Sequence, residues 1–374
     1  MIARVRSVAL IPALSVVLAL LVGAMIMILT SPLVVDSFSL TLPLEAYVAM
    51  ISGAFGSLNG IVNTFANATP LLLAGLGIGI GFKGGLFNIG GPGQMVIGAL
   101  VGTTVALALN DASPIVAIPA ALIGGMVGGA IYGFIPGALK AFTGAHEVVV
   151  TIMLNFVAFS IISWAVSGPL IGTGVTFART DDIQAAALPV IIGRNGHLGI
   201  LVAAVAVPIV YWLLYRSTTG FEIRTTGANP DAARYAGMRP RGVIVLTMSL
   251  AGLFAGLAGI IQILGPQTGF LAASYTAPVG FEAIAVALLG RAHPVGIMFA
   301  ALLFGAMQAG TNNMQILGLP PQMVDILQAV ILLFITADIV VRRVFRVREQ
   351  AGELVEIASV SRSYGGGGTG TAGT

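Results

Sequence analysis

Residues 7–35 read SVALIPALSVVLALLVGAMIMILTSPLVV, 29 positions without one charged side chain. A hydrocarbon core about 30 Å thick is crossed by roughly 20 apolar residues in a helix, so this stretch is long enough to span a membrane. Similar charge-free runs follow at 46–82, 84–110, 112–139, 148–178 and 242–281. The 17 basic and 14 acidic residues of the 374 fall largely in short clusters between these runs. Backbone groups in lipid must pair within the protein, which restricts spanning elements to helices and closed barrels. The runs lack the period-two alternation of barrel strands. The fold class is therefore all-α, a polytopic transmembrane helical bundle.

Composition excludes other classes. Hydrophobic residues make up 57% of the chain and glycines number 50, too apolar for a soluble domain of this size. The first apolar segment follows Arg4 and Arg6 as a signal peptide would, but it runs beyond roughly 20 residues and has no clear small-residue cleavage site before Asp36; it is read as the first span. The absence of cysteine removes disulfides, thiolate metal sites and cysteine nucleophiles together.

Hydropathy places about ten spans, near 7–29, 58–82, 89–109, 113–138, 148–168, 198–215, 243–264, 277–290, 294–316 and 320–341. With both termini cytoplasmic, Lys83, Lys140, Arg216, Arg224, Arg234, Arg239, Arg241, Arg291 and the arginines at 342, 343, 346 and 348 lie inside, and only Arg179 and Arg194 lie outside. That asymmetry is the positive-inside rule, so the pI of about 9.4 reports topology and not nucleic-acid binding. The interval 277–290 is short and holds Glu282, and 58–82 carries Asn59, Asn63 and Asn67; both are expected to be broken or tilted. The external loop 168–197 is large enough to dock a partner. Residues 1–346 form the membrane domain, and 347–374, rich in glycine and small polar residues, form a disordered cytoplasmic tail.

Several motifs carry no chemistry. Gly79, Gly81 and Gly84 spell G-x-G-x-x-G, but they close an apolar span and follow no strand. The pairs Gly75/Gly79, Gly124/Gly128, Gly125/Gly129 and Gly252/Gly256 instead repeat the small-residue spacing that lets membrane helices approach closely. His146 and Glu147 begin H-E-x-x-H, yet Val150 replaces the second histidine, so no metal site follows. Neither lysine belongs to a phosphate-binding G-x-x-x-x-G-K-[S/T] loop. With no paired catalytic carboxylates, the chain is read as no enzyme and as binding no cofactor itself.

Two regions stand out. FKGGLFNIGGPGQ at 82–94 interrupts a hydrophobic region with a lysine, glycines, a proline and two amides. Irregular backbone at membrane depth is tolerated where it is buried in protein or lines a cavity, and broken helices point to transport pathways. The segment 280–294 resembles it in outline, a short apolar helix bounded by glycine and proline, which suggests a weak internal repeat. The second region is the basic loop 216–241. There Asn229 suits an N-cap, Pro230 the first helical turn and Asp231 the helix N-terminus, with Gly237 and Pro240 ending the helix. A helix this short is unstable alone and must rest on other helices or on a partner.

These residues resemble the permease subunits of bacterial ABC importers for simple sugars and nucleosides, in particular the longer permease of nucleoside importers. The likeness covers most of 65–340 and is carried by GLFNIGGPGQ at 85–94, HEVVVTIMLN at 146–155, GANPDAARYAG at 227–237 and GFEAIAVALLGRAHPVG at 280–296. Pro92 stands where the family usually has a glutamate, and the coupling segment lacks a downstream Leu-Pro. The resemblance implies a bacterial inner-membrane permease working by alternating access. Asn229, Pro230, Asp231, Ala232, Ala233, Arg234 and Gly237 would couple it to a cytoplasmic ATPase, which would hold the ATP and Mg. A second related permease would form a heterodimer with it in preference to a homodimer, and an extracytoplasmic lipoprotein would deliver substrate. Among the polar or aromatic residues in or near spans, Phe87, Asn88, Gln94, Asn155, Glu282, Gln308 and Asn312 are expected to line the pathway. An ion-coupled carrier is the rival reading, with Asp325 and Asp338 as its ionisable groups.

Overall fold

The computed structural model describes residues 2–33 and 38–337. The proposed tail, the arginines from 342 onward and Asp338 lie outside the described residues. Thirteen α-helices account for most of what is described. Eight are long and apolar enough to cross a membrane: α1 (Ile2–Thr30), α3 (Leu58–Lys83), α4 (Gly91–Ala108), α5 (Pro114–Thr143), α6 (Glu147–Ser167), α7 (Gly199–Arg216), α10 (Pro240–Leu264) and α12 (Pro294–Ile316). These match eight of the ten expected intervals. The other two correspond to shorter helices, α11 (Val279–Leu289) and α13 (Gln322–Thr336).

Two helices are absent from the hydropathy reading. α2 (Leu42–Phe55) shares the charge-free run 46–82 with α3, and the division falls at Gly56 and Ser57, where the Ser57 hydroxyl accepts the Gly60 N–H at 3.0 Å. α8 (Thr218–Ala228) is capped the same way by Ser217. Its threonines and glycines are weak helix formers, so it depends on packing through its buried residues Gly220, Ile223 and Thr226. Against expectation, α3 is continuous despite its asparagines and Pro70.

The core is built on close helix approach. Inside lipid, apolar burial does not drive helices together, and packing of small residues does. Gly125, Gly129 and Gly133 of α5 face Gly252 and Gly256 of α10 so tightly that a Cβ on Gly129 would overlap the Gly252 carbonyl oxygen, and the reverse. Gly98 of α4 meets Gly256 and Gly125, placing α4 in the same seam.

α4 and α11 both begin inside the bundle. The chain leaves α3 at Lys83, turns back through 84–90, and starts α4 at Gly91 with Pro92 in its first turn. The expected irregular backbone is thus confined to 84–90, and Gly91, Pro92 and Gly93 are helical. Residues 265–278 likewise turn back from α10 into α11. The starts of the two helices touch, with Gly280 packed on Gly91 and Pro92.

The loop 168–197 folds over one end of the bundle. Thr180 and Ile183 donate their N–H groups to the carbonyls of Leu271 and Gly269, Leu188 donates to Leu264, and Arg179 lies 4.5 Å above the Phe270 ring. A hairpin of β1 (Val190–Ile192) and β2 (Gly196–His197) completes this end. α8 and α9 (Pro230–Tyr235) lie at the opposite end, where α3 stops.

Candidate functional site

α9 has the stops that its sequence specifies. The Asn229 side-chain oxygen accepts the N–H groups of Asp231 and Ala232, each at 3.0 Å. Gly237 adopts φ +83, and the N–H of Met238 bonds back to the Ala233 carbonyl at 3.0 Å. Of the six helical residues only Ala233 is buried. Asp231 and Arg234 pair at 3.6 Å on the surface, a contact of small energetic weight. Tyr235, absent from the residues picked out by sequence, is 95% exposed. Ala233 and Gly237 therefore anchor and terminate this helix, while Pro230, Asp231, Ala232, Arg234 and Tyr235 are presented outward.

The arm that carries α9 touches the re-entrant segment. Gly227, at the end of α8, packs on the backbone of Lys83, Gly84 and Gly85, leaving no room for a Cβ. Gly85 has φ +71, a conformation that glycine adopts without penalty. Beside this contact Tyr215 of α7 stacks with His293 at 5.4 Å, and the Arg224 guanidinium lies 5.0 Å above the Tyr215 ring. Burial, and secondarily the charge of Lys83, hold the His293 imidazole below its usual pKa.

The seven expected pathway residues separate into distinct environments. Asn88, Gln94 and Asn155 come together, and each is at most 2% exposed. Asn88 Nδ2 donates to Gln94 Oε1 at 2.9 Å, Gly90 N–H donates to Asn88 Oδ1 at 2.9 Å, and Asn155 bridges the Gly93 N–H (2.9 Å) and the Ile89 carbonyl (3.0 Å). These amides tie the re-entrant segment and the start of α4 to α6. Phe87 packs on Phe82 with ring centroids 5.3 Å apart. A second pair lies elsewhere: Gln308 Nε2 of α12 donates to Glu282 Oε2 of α11 at 2.6 Å. Asn312, one turn further along α12, is exposed.

A cavity of about 80 Å³ opens between α3, α10, α11, α12 and the hairpin. Gln308 lines it, together with Asn67, Asn195, His197, Gln262 and Gln267. Apart from Gln308, none of these is among the expected pathway residues. They come from five separate stretches of the chain, and no spacing rule joins them.

Comparison with known proteins decides the family. The family described as "Branched-chain amino acid transport system / permease component" matches residues 60–336. This chain belongs to that family. The guanosine ABC transporter permease NupP of Bacillus subtilis (strain 168) is 36% identical over 339 residues, 89% of this chain and 94% of the relative. The nucleoside ABC transporter permease NupB of Lactococcus lactis subsp. cremoris is 34% identical over 89% of this chain and 92% of its own length. The glucose ABC transporter permease TsgB13 of Haloferax volcanii is 36% identical, with 87% and 86% covered. The two bacteria also supply second, more distant permease matches, 27% and 26% identical to this chain. No solved structure matches the chain at the same stringency. The protein is a multi-pass membrane permease subunit of an ABC transport system.

Proposed function

We propose that this subunit imports a nucleoside, or a simple sugar, into a bacterial cell across the inner membrane, with α9 as the contact through which a cytoplasmic ATPase drives it. The observation that carries this reading is α9 itself: a six-residue helix with one buried residue, capped at both ends and held out from the bundle in a chain of permease sequence. A helix too short to stand alone that nonetheless exposes most of its surface is suited to a partner's groove. ATP and Mg reside on that partner, and this chain does no chemistry.

The contacts support alternating access. A push on α9 reaches Gly85 through Gly227, and from there the buried amides of Asn88, Gln94 and Asn155 connect to the abutting starts of α4 and α11. We assign those three residues to this linkage, and Glu282 and Gln308 to the pathway. On this reading both termini would lie in the cytoplasm, and α11 and α13 would complete ten membrane segments. The nucleoside relatives and their second permeases support a heterodimer, and a substrate-binding lipoprotein would meet the end capped by 168–197.

The test is a gentle detergent extraction from the native membrane followed by mass spectrometry of what stays bound. Recovery of a nucleotide-binding ATPase and a second permease is expected. Recovery of this chain alone, from a membrane in which other multisubunit transporters stay intact, would overturn the proposal.

A further inference from the structure

We propose that the cavity bounded by Asn67, Asn195, His197, Gln262, Gln267 and Gln308 is a binding site for an uncharged polyhydroxyl group of pentosyl size, through which a riboside passes. This deepens the importer reading and rests on it. The chemistry of the lining is the first argument. Five side-chain amides and one imidazole line the space together with apolar residues such as Ile261 and Val279, and among the described residues no Asp, Glu, Lys or Arg lines it. Polar side chains on membrane helices are costly and mark solute routes. Uncharged amides set among apolar residues suit a neutral ligand that both donates and accepts hydrogen bonds, and give no cationic partner to a phosphate.

The second argument is that the donors and acceptors are already sorted. Tyr275 donates its hydroxyl to Gln262 Oε1 at 2.9 Å, so Gln262 keeps its NH₂ group for a ligand. Gln308 spends an N–H on Glu282 and keeps Oε1 as an acceptor. Asn195 donates to Asn63 Oδ1 at 2.8 Å and likewise keeps its carbonyl oxygen. The Gly199 N–H donates to His197 Nδ1 at 3.1 Å, which places the neutral imidazole's proton on Nε2 as a donor. Each of these four groups is oriented by a neighbour before any ligand arrives, which lowers the entropy cost of binding. Vicinal hydroxyls, each donor and acceptor at once, match such a mixed set of donors and acceptors.

Size and position agree. A water needs about 10–15 Å³ on the same scale, so 80 Å³ admits on the order of five to eight small groups, a sugar ring and not a whole nucleoside. The base would extend toward the opening, where Pro266 and Gln267 form an exposed rim. Val279, the first residue of α11, also lines the space. The site therefore lies where the chain turns back into the bundle, as binding sites at broken helices do.

The chain has no cysteine, so Pro266→Cys creates a unique reporter at the rim of the site. Its modification by a maleimide is followed in membranes containing the complete transporter, with uridine, guanosine, their 2′,3′-dideoxy counterparts or uridine monophosphate added. At about ten times their Kd the ribosides are expected to slow labelling about tenfold, because only the unoccupied tenth of the sites reacts, while the dideoxy compounds and the monophosphate leave it unchanged. Gln262→Leu or Gln308→Leu in the same background should abolish protection without changing the rate measured with no ligand. Equal protection by dideoxy compounds, or none by any riboside, overturns the site. Uptake by the same cells separates the two readings: uptake that depends on the chain while labelling is unprotected sinks the site alone, and uptake of no nucleoside or sugar depending on the chain sinks the importer reading.

Discussion

At the scale of single residues, the polar groups of this chain divide by how fully their hydrogen bonds are met. Asn229 satisfies two N–H groups that the first turn of α9 would otherwise leave to water. Asn229→Ala should cost about 1 kcal/mol of local helix stability. Combined with Asp231→Lys, it should reduce uptake while leaving binding of substrate to its delivery protein intact; unchanged uptake by the double variant counts against the coupling role. Tyr235 is the contrasting case. Its ring touches little of this chain, so Tyr235→Ala should alter thermal stability by no more than about 0.5 kcal/mol yet weaken recovery of the ATPase after detergent extraction. Glu282 accepts from Gln308, and Glu282→Ala leaves that amide without its acceptor at a cost of about 1–3 kcal/mol. Transport should fall in Glu282→Ala, and full activity would remove it from the pathway. The cap at Asn229 is legible in sequence because it acts on its immediate neighbours. Tyr235 is not, because exposure rather than residue type singles it out.

At the scale of elements, the glycine seam between α5 and α10 decides how the bundle closes. Gly129 and Gly252 leave no room for a side chain on either helix, and overpacking a tight interface typically costs about 1–3 kcal/mol. Gly129→Val should therefore lower the yield of folded protein in detergent, whereas Gly144→Ala, where a Cβ would meet nothing, should show only the smaller penalty of its left-handed φ of +74. The turn between α11 and α12 gives a pH dependence. Burial and, secondarily, Lys83 lower the pKa of the folded His293 below 6.5. Its contribution to stability is thus complete above the ordinary value of 6.5. It is lost as pH falls through the lowered folded value, because the unfolded chain takes up the proton first. Thermal unfolding of the solubilised protein between about pH 7.5 and 5.5 should show the onset of this loss, and His293→Gln should flatten part of it. The small-residue spacing is visible in sequence, but which helix each glycine faces is not: the pairing of Gly129 with Gly252 joins positions more than a hundred residues apart.

At the scale of the whole molecule, the two ends of the bundle differ in kind. One is covered by 168–197, whose backbone pairs with residues 264–273 while much of its length, 189–194 included, stays exposed. The other carries α8 and α9 and the aromatic cluster around His293. Between them, the abutting starts of α4 and α11 lie where backbone irregularity is enclosed by helices.

Sequence by itself determined the membrane helices, because about twenty apolar residues in a row have one low-energy environment, and the cap and stop of α9, because those bonds form within a few residues. It also carried the family, through motifs long enough to be specific. Only the tertiary structure decided that α2 and α8 are helices, since both depend on packing against distant elements. It alone distinguished the spent amides of Asn88, Gln94 and Asn155 from those of Asn67, Gln262 and Gln308, which line a cavity. An amide in a sequence is the same amide in every setting; whether it binds a neighbour or a solute depends on what lies within about 3 Å of it in space.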